Sequence, residues 1–260
     1  PEYGSGAVRI VGDTTNITEH GSQSPRPIAS ITKVITALVV LDKKPLDINE
    51  DGPSIELSQA DLDIYNQVLS QGAAVQPVTV GGTISERQAI QVMMLPSSCN
   101  YAETLARWAY GSQQEYLLAA NSWLTQNGFT GTKVVDASGL SSENISTPSD
   151  LIGLGQLAMK YPALATIVGT KQTSVDGVGD IMNSNQLLGQ LGVDGIKTGW
   201  TDEAGACLLF SGIINVGGED IRIVGVLLGG TVSSQVASDV ATLINSIKSG
   251  FPLVQLVVSG

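Results

Sequence analysis

The chain of 260 residues is 42% hydrophobic and only 14% charged, a balance typical of a compact globular protein with a sizeable core. Its formal net charge is −11 and its pI is about 4.4, which argues against nucleic acid and anionic lipid surfaces as partners. No run of 18 or more apolar residues is present, so no membrane-spanning helix is predicted.

Metal and disulfide chemistry find little support in the sequence. The single histidine, His20, lies in a polar segment, and neither CxxC nor HExxH occurs. We therefore expect no metal and no cofactor. Cys99 and Cys207 stand in unlike contexts and are predicted to be two buried free thiols.

The first two thirds of the chain are predicted to be mainly helical after an opening hairpin. Residues 6–12 and 15–21 read as two short strands, and Ser30 then opens an apolar helix that ends near Leu41. Thr83 and Glu86 have the spacing of a capping box that starts a later helix. The predicted helices of the middle region cover 60–69, 83–95, 100–111, 112–129 and 147–161.

The last third is predicted to be rich in strands. Strands are indicated over 193–201, 206–216 and 221–230, followed by a helix over 233–249. Residues 251–260 read either as a final strand or as the start of a further domain. The early hairpin and the late strands are expected to share one antiparallel sheet flanked by helices.

The predicted fold class is therefore α/β of the α+β kind, with residues 1–260 forming one domain. We expect a sheet lobe of about 1–41 and 170–260 and an all-helical lobe of about 42–169. A cleft between two lobes is where sites usually form.

Three short motifs occur in a fixed order along the chain. They are Ser30-x-x-Lys33 at a helix start, Ser98-Cys99-Asn100 between two helices, and Lys197-Thr198-Gly199 on a late strand. Each motif alone is a weak signal, since Ser142-Glu143-Asn144 repeats the second by chance. Together, in this order, they form the signature set of penicillin-recognising serine enzymes.

The motifs and their surroundings resemble the D-alanyl-D-alanine carboxypeptidases of the low-molecular-mass penicillin-binding protein type. The segments "RPIASITKVITALVVL", "VMMLPSSCNYAETLA", "DASGLSSENISTPSDL" and "VDGIKTGWTDEAGACLLFSG" are similar to family segments, in family order, as far as about Phe251. The resemblance implies the β-lactamase/transpeptidase-like fold and removal of the terminal D-Ala from peptidoglycan stem peptides. It further implies inhibition by β-lactams and a location outside the bacterial cytoplasmic membrane, with membrane contact only through segments that this chain lacks.

The resemblance also implies roles for the motif residues. Ser30 would attack the penultimate D-Ala carbonyl, and Lys33 would take its proton, helped by the nearby charge of Lys197. Ser98 would pass the proton to the leaving amine, while Asn100 would orient Lys33 and hold the substrate amide.

The third motif would bind the substrate carboxylate and would lie beside the oxyanion hole. Lys197 and Thr198 of the Lys-Thr-Gly199 motif would meet the substrate carboxylate, and the backbone N–H groups of Ser30 and Trp200 would form the oxyanion hole. One departure from the family concerns the carboxylate, because no arginine follows the last strand in residues 229–240. Arg222 lies on the strand itself and is expected to be structural.

Two other functions remain open at this level. A serine β-lactamase needs a glutamate four residues before an asparagine, but Glu143 directly precedes Asn144. A β-lactam or cell-wall sensor would keep the same motif residues and acylate without turnover. A Ser-His-Asp hydrolase is excluded, because the chain has no Gly-x-Ser-x-Gly elbow.

Overall fold

The computed structural model describes residues 3–12 and 17–258, with side chains as far as residue 249. Its helices are α1 (Thr32–Lys43), α2 (Gln59–Ser70), α3 (Glu86–Met94), α4 (Cys99–Tyr110), α5 (Gln113–Gln126), α6 (Pro148–Lys160), α7 (Pro162–Val168) and α8 (Ser233–Val258). The strands are β1 (Ser5–Ile10), β2 (Thr18–Gly21), β3 (Arg26–Pro27), β4 (Ser54–Glu56), β5 (Thr83–Ser85), β6 (Ile145–Ser146), β7 (Gln172–Val175), β8 (Gly179–Met182), β9 (Val193–Thr201), β10 (Gly205–Val216) and β11 (Glu219–Gly230).

The main sheet joins both ends of the chain, as the sequence predicted. Its strand order is β2-β1-β11-β10-β9, and every neighbouring pair is antiparallel. Three two-stranded pairs, β3-β6, β4-β5 and β7-β8, lie outside it. The sheet therefore brings the N-terminal strand beside the late strands and leaves β9 at an edge.

Both faces of the sheet are covered by helices. Leu208 and Phe210 of β10 pack with Val240 of α8, whereas Leu209 of β10 packs in the larger cluster shared with α1 and α6. Side chains alternate between the faces of a strand, so burial on both faces explains the continuous apolar sequence of β10. α6 lies in the predicted helical lobe, yet it packs against β11 and β1.

Some predicted boundaries differ from the structure. The capping box of α3 is formed by Ser85 and Gln88, because Thr83 belongs to β5. Ser30 does not cap α1: it lies in a 3₁₀ turn, Ala29–Ile31, that precedes the helix. Residues 251–258 continue α8, so the alternative of a final strand is wrong. The turn of the predicted hairpin, 13–16, lies outside the described residues.

No single helix in the described part of the chain is long and apolar enough to cross a membrane. The two helices Pro148–Lys160 and Pro162–Val168 together have the length and apolar composition of a membrane span, but they are bent by 103° relative to each other.

Candidate active site

The turn before α1 presents Ser30 next to a buried lysine. Ala29 has a φ of 46°, in the left-handed region that alanine rarely adopts, and this conformation directly precedes Ser30. Lys33 follows three residues later with an exposed fraction of 0%. Its Nζ lies 2.9 Å from Ser30 Oγ, within hydrogen-bond distance. The spacing of these two residues on one helical face therefore produces direct contact.

Lys33 has two more hydrogen-bond partners. Its Nζ lies 2.6 Å from the backbone oxygen of Ser138 and 3.3 Å from Cys99 Sγ. An ammonium group has three N–H donors, so Ser30, Ser138 and Cys99 together account for all of them. The amine is thereby held in one orientation against the Ser30 hydroxyl.

Residues 136–139 form a short segment that delivers the Ser138 carbonyl. The Asp136 carboxylate accepts hydrogen bonds from the backbone N–H of Ser138 at 2.8 Å and of Ser141 at 2.8 Å. Thr36 Oγ1 of α1 donates to the Ala137 oxygen at 2.7 Å. A Cβ on Gly139 would lie 2.0 Å from the Ala29 oxygen, so only glycine allows this close approach to the Ser30 turn.

Glu103 of α4 supports the same segment. Its Oε1 accepts the backbone N–H of Ala137 at 3.3 Å. Burial, and then the nearby Asp136 carboxylate, raise the pKa of Glu103 to about 7, against a smaller opposing effect of Lys33. An ionisable group that titrates near neutral pH thus lies behind the carbonyl that orients Lys33.

The second motif is placed one residue away from the expected frame. Ser98 is fully buried, and its Oγ donates to Asn100 Oδ1 at 2.6 Å. Asn100 in turn bonds both the N–H and the oxygen of Gln76, each at 3.0 Å. These two side chains are therefore not among the described partners of Lys33, in contrast to the expected relay and orienting roles. Asn100 instead fixes the segment that leads into the cleft wall at Ala74.

Ser97 and Cys99 take the positions facing the cleft. Both line the cleft that contains Ser30, and Cys99 Sγ is the atom in contact with Lys33. Ser97 has a φ of 65°, which turns the backbone just before α4. The pair Ser97 and Cys99 therefore lies at the cleft, one residue before the predicted pair Ser98 and Asn100. The thiol of Cys99 contacts Lys33, where the sequence predicted the Asn100 amide.

Lys197 is brought close to the lysine of the first motif but is hidden within the protein. Its side chain has an exposed fraction of 1%, and its Nζ has no hydrogen-bond partner among the described residues. Burial, and then the charge of Lys33, lower the pKa of Lys197 well below its usual range, while Cys99 has a smaller opposite effect.

The rest of the third motif lines the cleft. Thr198 Oγ1 lies 2.6 Å from Ser184 Oγ, and the Trp200 side chain is exposed. Gly199 allows β9 to lie against the nucleophile turn, because a Cβ there would be 3.0 Å from the Ile28 oxygen and 3.2 Å from Ser30 N. The register of β9 therefore sets the distance between the third motif and Ser30.

The cleft has a volume of about 490 Å³, within the range of small-molecule sites. Asp202 and Glu203 are exposed among its lining residues, next to Trp200. Arg222 does not line it; its Nη1 pairs with Asp194 Oδ2 at 2.9 Å, in line with the structural role expected of it.

Three site residues were not found by sequence reasoning. Ser138 acts through a backbone oxygen, which no side-chain pattern reveals. Ser184 lies in a loop and meets Thr198 only through folding. Ser97 is adjacent to the predicted Ser98, and only the backbone conformation determines which of the two faces the cleft.

Comparison with known proteins agrees with this geometry. A family model described as D-alanyl-D-alanine carboxypeptidase matches residues 4–231. A D-alanyl-D-alanine endopeptidase of Pseudomonas aeruginosa is 31% identical over 225 residues, covering 82% of this chain and 69% of the relative. A D-alanyl-D-alanine carboxypeptidase of Streptomyces sp. (strain K15) is 30% identical over 251 residues, covering 90% of this chain and 83% of the relative.

Solved structures give the same picture. The crystal structure of the Streptomyces K15 DD-transpeptidase matches with a TM-score of 0.81 at 27% identity, covering 94% of this chain and 96% of that chain. A D-alanyl-D-alanine carboxypeptidase from Mycobacterium tuberculosis matches with a TM-score of 0.77 at 27% identity, covering 94% and 91%. The predicted β-lactamase/transpeptidase-like fold is therefore confirmed.

Proposed function

Because this chain belongs to the D-alanyl-D-alanine carboxypeptidase family and is a serine peptidase of that family, we propose that Ser30 is its nucleophile and that Lys33 accepts the Ser30 proton. The observation that carries this assignment is the contact of 2.9 Å between Lys33 Nζ and Ser30 Oγ at a cleft of about 490 Å³. A serine hydroxyl becomes a strong nucleophile when a positioned base removes its proton. Attack on the penultimate D-Ala carbonyl then releases the terminal D-Ala and leaves an acyl group on Ser30.

The sharing of one proton between Lys33 and Lys197 would explain how Lys33 becomes a neutral amine that can act as a base. Two ammonium groups in one buried site repel each other, and the low pKa of Lys197 supports a resting state with a single proton on the pair. A substrate carboxylate near Thr198 would stabilise charge on Lys197. Its positive charge would in turn favour the neutral, proton-accepting form of Lys33. Substrate binding thus prepares the base.

The substrate carboxylate would meet hydroxyl groups at the cleft surface. Thr198 and Ser184 both line the cleft, whereas Lys197 lies buried behind them. Lys197 therefore acts mainly through its charge, and the two hydroxyls donate the hydrogen bonds. This pairing supplies carboxylate recognition without a late arginine.

For the oxyanion hole we assign the backbone N–H groups of Ser30 and Trp200. The close approach of β9 to the Ser30 turn, which Gly199 permits, supports this assignment. Removing one such donor from an oxyanion hole typically slows a reaction by about 100- to 1000-fold.

In the second motif, the cleft-facing pair suits the proton transfer better than the buried pair. Ser97 would carry the proton towards the leaving amine, and Cys99 would help to orient Lys33. Ser98 and Asn100, which the sequence suggested for these tasks, would instead hold the cleft wall.

The substrates are peptidoglycan stem peptides that end in D-Ala-D-Ala, and β-lactams bind the same site. Such peptides are exposed outside the cytoplasmic membrane of bacteria, so we place the enzyme there, at the periplasmic or cell-wall face.

The test follows the intact mass of the protein after mixing with benzylpenicillin, for the wild type and Ser30→Ala. We expect the wild type to gain the mass of one drug molecule and the variant to gain none. Release of D-Ala from an acylated peptide ending in D-Ala-D-Ala should also vanish in the variant. An adduct that persists in Ser30→Ala contradicts the assignment, and an adduct without any D-Ala release identifies a sensor. Consumption of the drug without an adduct identifies a β-lactamase.

A second candidate activity is hydrolysis of peptide cross-links, favoured by the 31% identical relative that is named an endopeptidase. A parallel assay with a cross-linked dimer of the same peptide separates the two. We expect faster release of D-Ala from the monomer, and faster cleavage of the dimer would reassign the preferred substrate.

A further inference from the structure

The two cysteines of the chain occupy opposite environments. Cys207 of β10 hydrogen-bonds the oxygens of Ala204 and Gly205 at 3.7 and 3.6 Å, and burial raises its pKa to about 11. It lines a cavity of about 20 Å³, which has room for a water molecule at most. Cys207 is therefore an unreactive internal reference.

Cys99, by contrast, lies beside two lysine side chains. Its Sγ is 3.3 Å from Lys33 Nζ, and Lys197 is close enough to interact electrostatically with it. Cys99 is also the first residue of α4, a helix of 12 residues whose N-terminus favours negative charge. Reactive cysteines are found in such electropositive surroundings, because they stabilise the charge that develops on sulfur.

The buried lysine provides a second, independent sign that a group from outside is accommodated here. Lys197 Nζ is almost completely buried and has no hydrogen-bond acceptor among the described residues. An unsatisfied buried donor is costly, and Lys197 is close enough to Cys99 to interact with it, so a hydrogen-bond acceptor brought to Cys99 would be favoured there.

Access to Cys99 is limited but real. Cys99 and Ser30 line the same cleft of about 490 Å³, while the cysteine itself has an exposed fraction of 2%. Only a small, slender reagent can reach the sulfur. Asp202 and Glu203 line the same cleft, and a neutral reagent avoids repulsion by their side chains.

We propose that Cys99 is a site of reversible thiol–disulfide exchange with small neutral disulfides, and that the mixed disulfide prevents acylation of Ser30. In this step Sγ attacks one sulfur of the disulfide, a new S–S bond forms, and the original S–S bond breaks. The thiol proton passes through Lys33 to the departing thiolate, so one small thiol is released for each disulfide consumed. The group left on Cys99 fills the space between Lys33 and the substrate.

The blocking effect rests on the proposed role of Ser30, whereas the exchange itself does not. The experiment treats the folded chain of 260 residues with hydroxyethyl disulfide and locates the modification by peptide mass mapping. Acylation by a fluorescent penicillin is measured before treatment, after treatment, and after reduction with dithiothreitol. The variants are Cys99→Ala, Cys207→Ala and Ser30→Ala.

We expect Cys99 to be modified at least about tenfold faster than Cys207 in the wild type. Acylation should fall by about tenfold or more and return on reduction. Cys207→Ala should behave like the wild type, and Cys99→Ala should keep its own rate unchanged by the disulfide. Prior acylation with benzylpenicillin should protect Cys99.

Equal modification of both cysteines, or labelling only after denaturation, would overturn the exchange site. Modification of Cys99 with full retention of acylation would overturn the blocking effect. Ser30→Ala separates this proposal from the function: exchange at Cys99 should persist there, whereas persistent penicillin binding in that variant would fault the nucleophile assignment alone.

Discussion

Lys33 Nζ lies 2.6 Å from the backbone oxygen of Ser138, closer than its distance of 2.9 Å from the hydroxyl of Ser30. The amine is thus positioned by a loop carbonyl that reaches α1 from a segment more than 100 residues further along the chain. Glu103, Asp136 and Thr36 hold that segment. The proposed base of Ser30 is therefore positioned by three side chains that do not line the cleft containing Ser30.

The first prediction concerns Glu103, whose pKa is raised to about 7 by burial and Asp136. Above that pH Glu103 carries a negative charge that attracts the Lys33 amine, which we propose as the base, and so opposes release of a proton from it. Glu103→Gln keeps an acceptor for the Ala137 N–H but removes the charge. We expect the variant to be acylated about three- to tenfold faster than the wild type at pH 8 and at a similar rate at pH 5.5.

The measurement is the rate of penicillin acylation from pH 5 to 9. Glu143→Gln is the control, because that exposed side chain pairs only loosely with Lys133 at 3.9 Å. An unchanged pH profile in Glu103→Gln would show that Glu103 does not act on Lys33.

The second prediction compares the neighbouring serines Ser97 and Ser98. Ser97→Ala removes the hydroxyl at the cleft and should lower D-Ala release by about 100-fold or more, as for loss of a proton-transfer group. Ser98→Ala removes a buried bond to Asn100, which keeps its bonds to Gln76, and should leave D-Ala release within about threefold. The opposite order of the two defects in a steady-state assay would restore the original frame of the motif.

Much of the fold and part of the site could be predicted from the sequence, and the failures have physical causes. Ser30 and Lys33 are three residues apart on one helical turn, so their contact follows from local geometry. Which of Ser97 and Ser98 faces the cleft depends on the positive φ at Ser97. Serine rarely adopts a positive φ, so this conformation could not be predicted from the sequence. The Ser138 carbonyl belongs to the backbone, so every residue type would supply the same group and no sequence motif predicts it.

Other predictions were wrong or undecided where the same residues fit two kinds of secondary structure. Thr83 and Glu86 fit a capping box, but pairing with β4 extends Thr83 into a strand and shifts the box to Ser85. The apolar C-terminal residues 251–258 fit either a strand or a helix by composition, and α8 continues through them.

The third prediction uses two glycines with similar backbones and different surroundings. Gly139 and Gly128 have φ values of 86° and 82°, but only Gly139 meets another residue, the Ala29 oxygen. Gly128→Ala should cost about 1 kcal/mol of unfolding free energy, because it adds only backbone strain. Gly139→Ala should cost about 3 kcal/mol or more and should slow acylation, since the Ser30 turn must move.

Urea unfolding and penicillin acylation of both variants test this difference. Equal losses of stability with normal acylation in both would mean that the contact between Gly139 and Ala29 does not constrain the Ser30 turn.

The last prediction concerns Glu86, a fully buried carboxyl whose two oxygens have no hydrogen-bond partner among the described residues. Burial raises its pKa from 4.5 to about 7, although Lys44 opposes the shift. Between these values the folded protein holds a proton that the unfolded chain has released. The stabilisation is therefore complete below about pH 4.5 and is lost as the pH rises through 7.

Glu86→Gln stays neutral at every pH and should remove this part of the pH dependence. Relative to the wild type, the variant should gain about 2–3 kcal/mol of unfolding free energy between pH 5 and pH 8. Glu56→Gln, an exposed substitution on β4, should leave the difference between the two pH values unchanged. Urea unfolding at both pH values provides the comparison. Parallel curves for wild type and Glu86→Gln would mean that Glu86 is already ionised in the folded protein at pH 5, with its charge stabilised by Lys44.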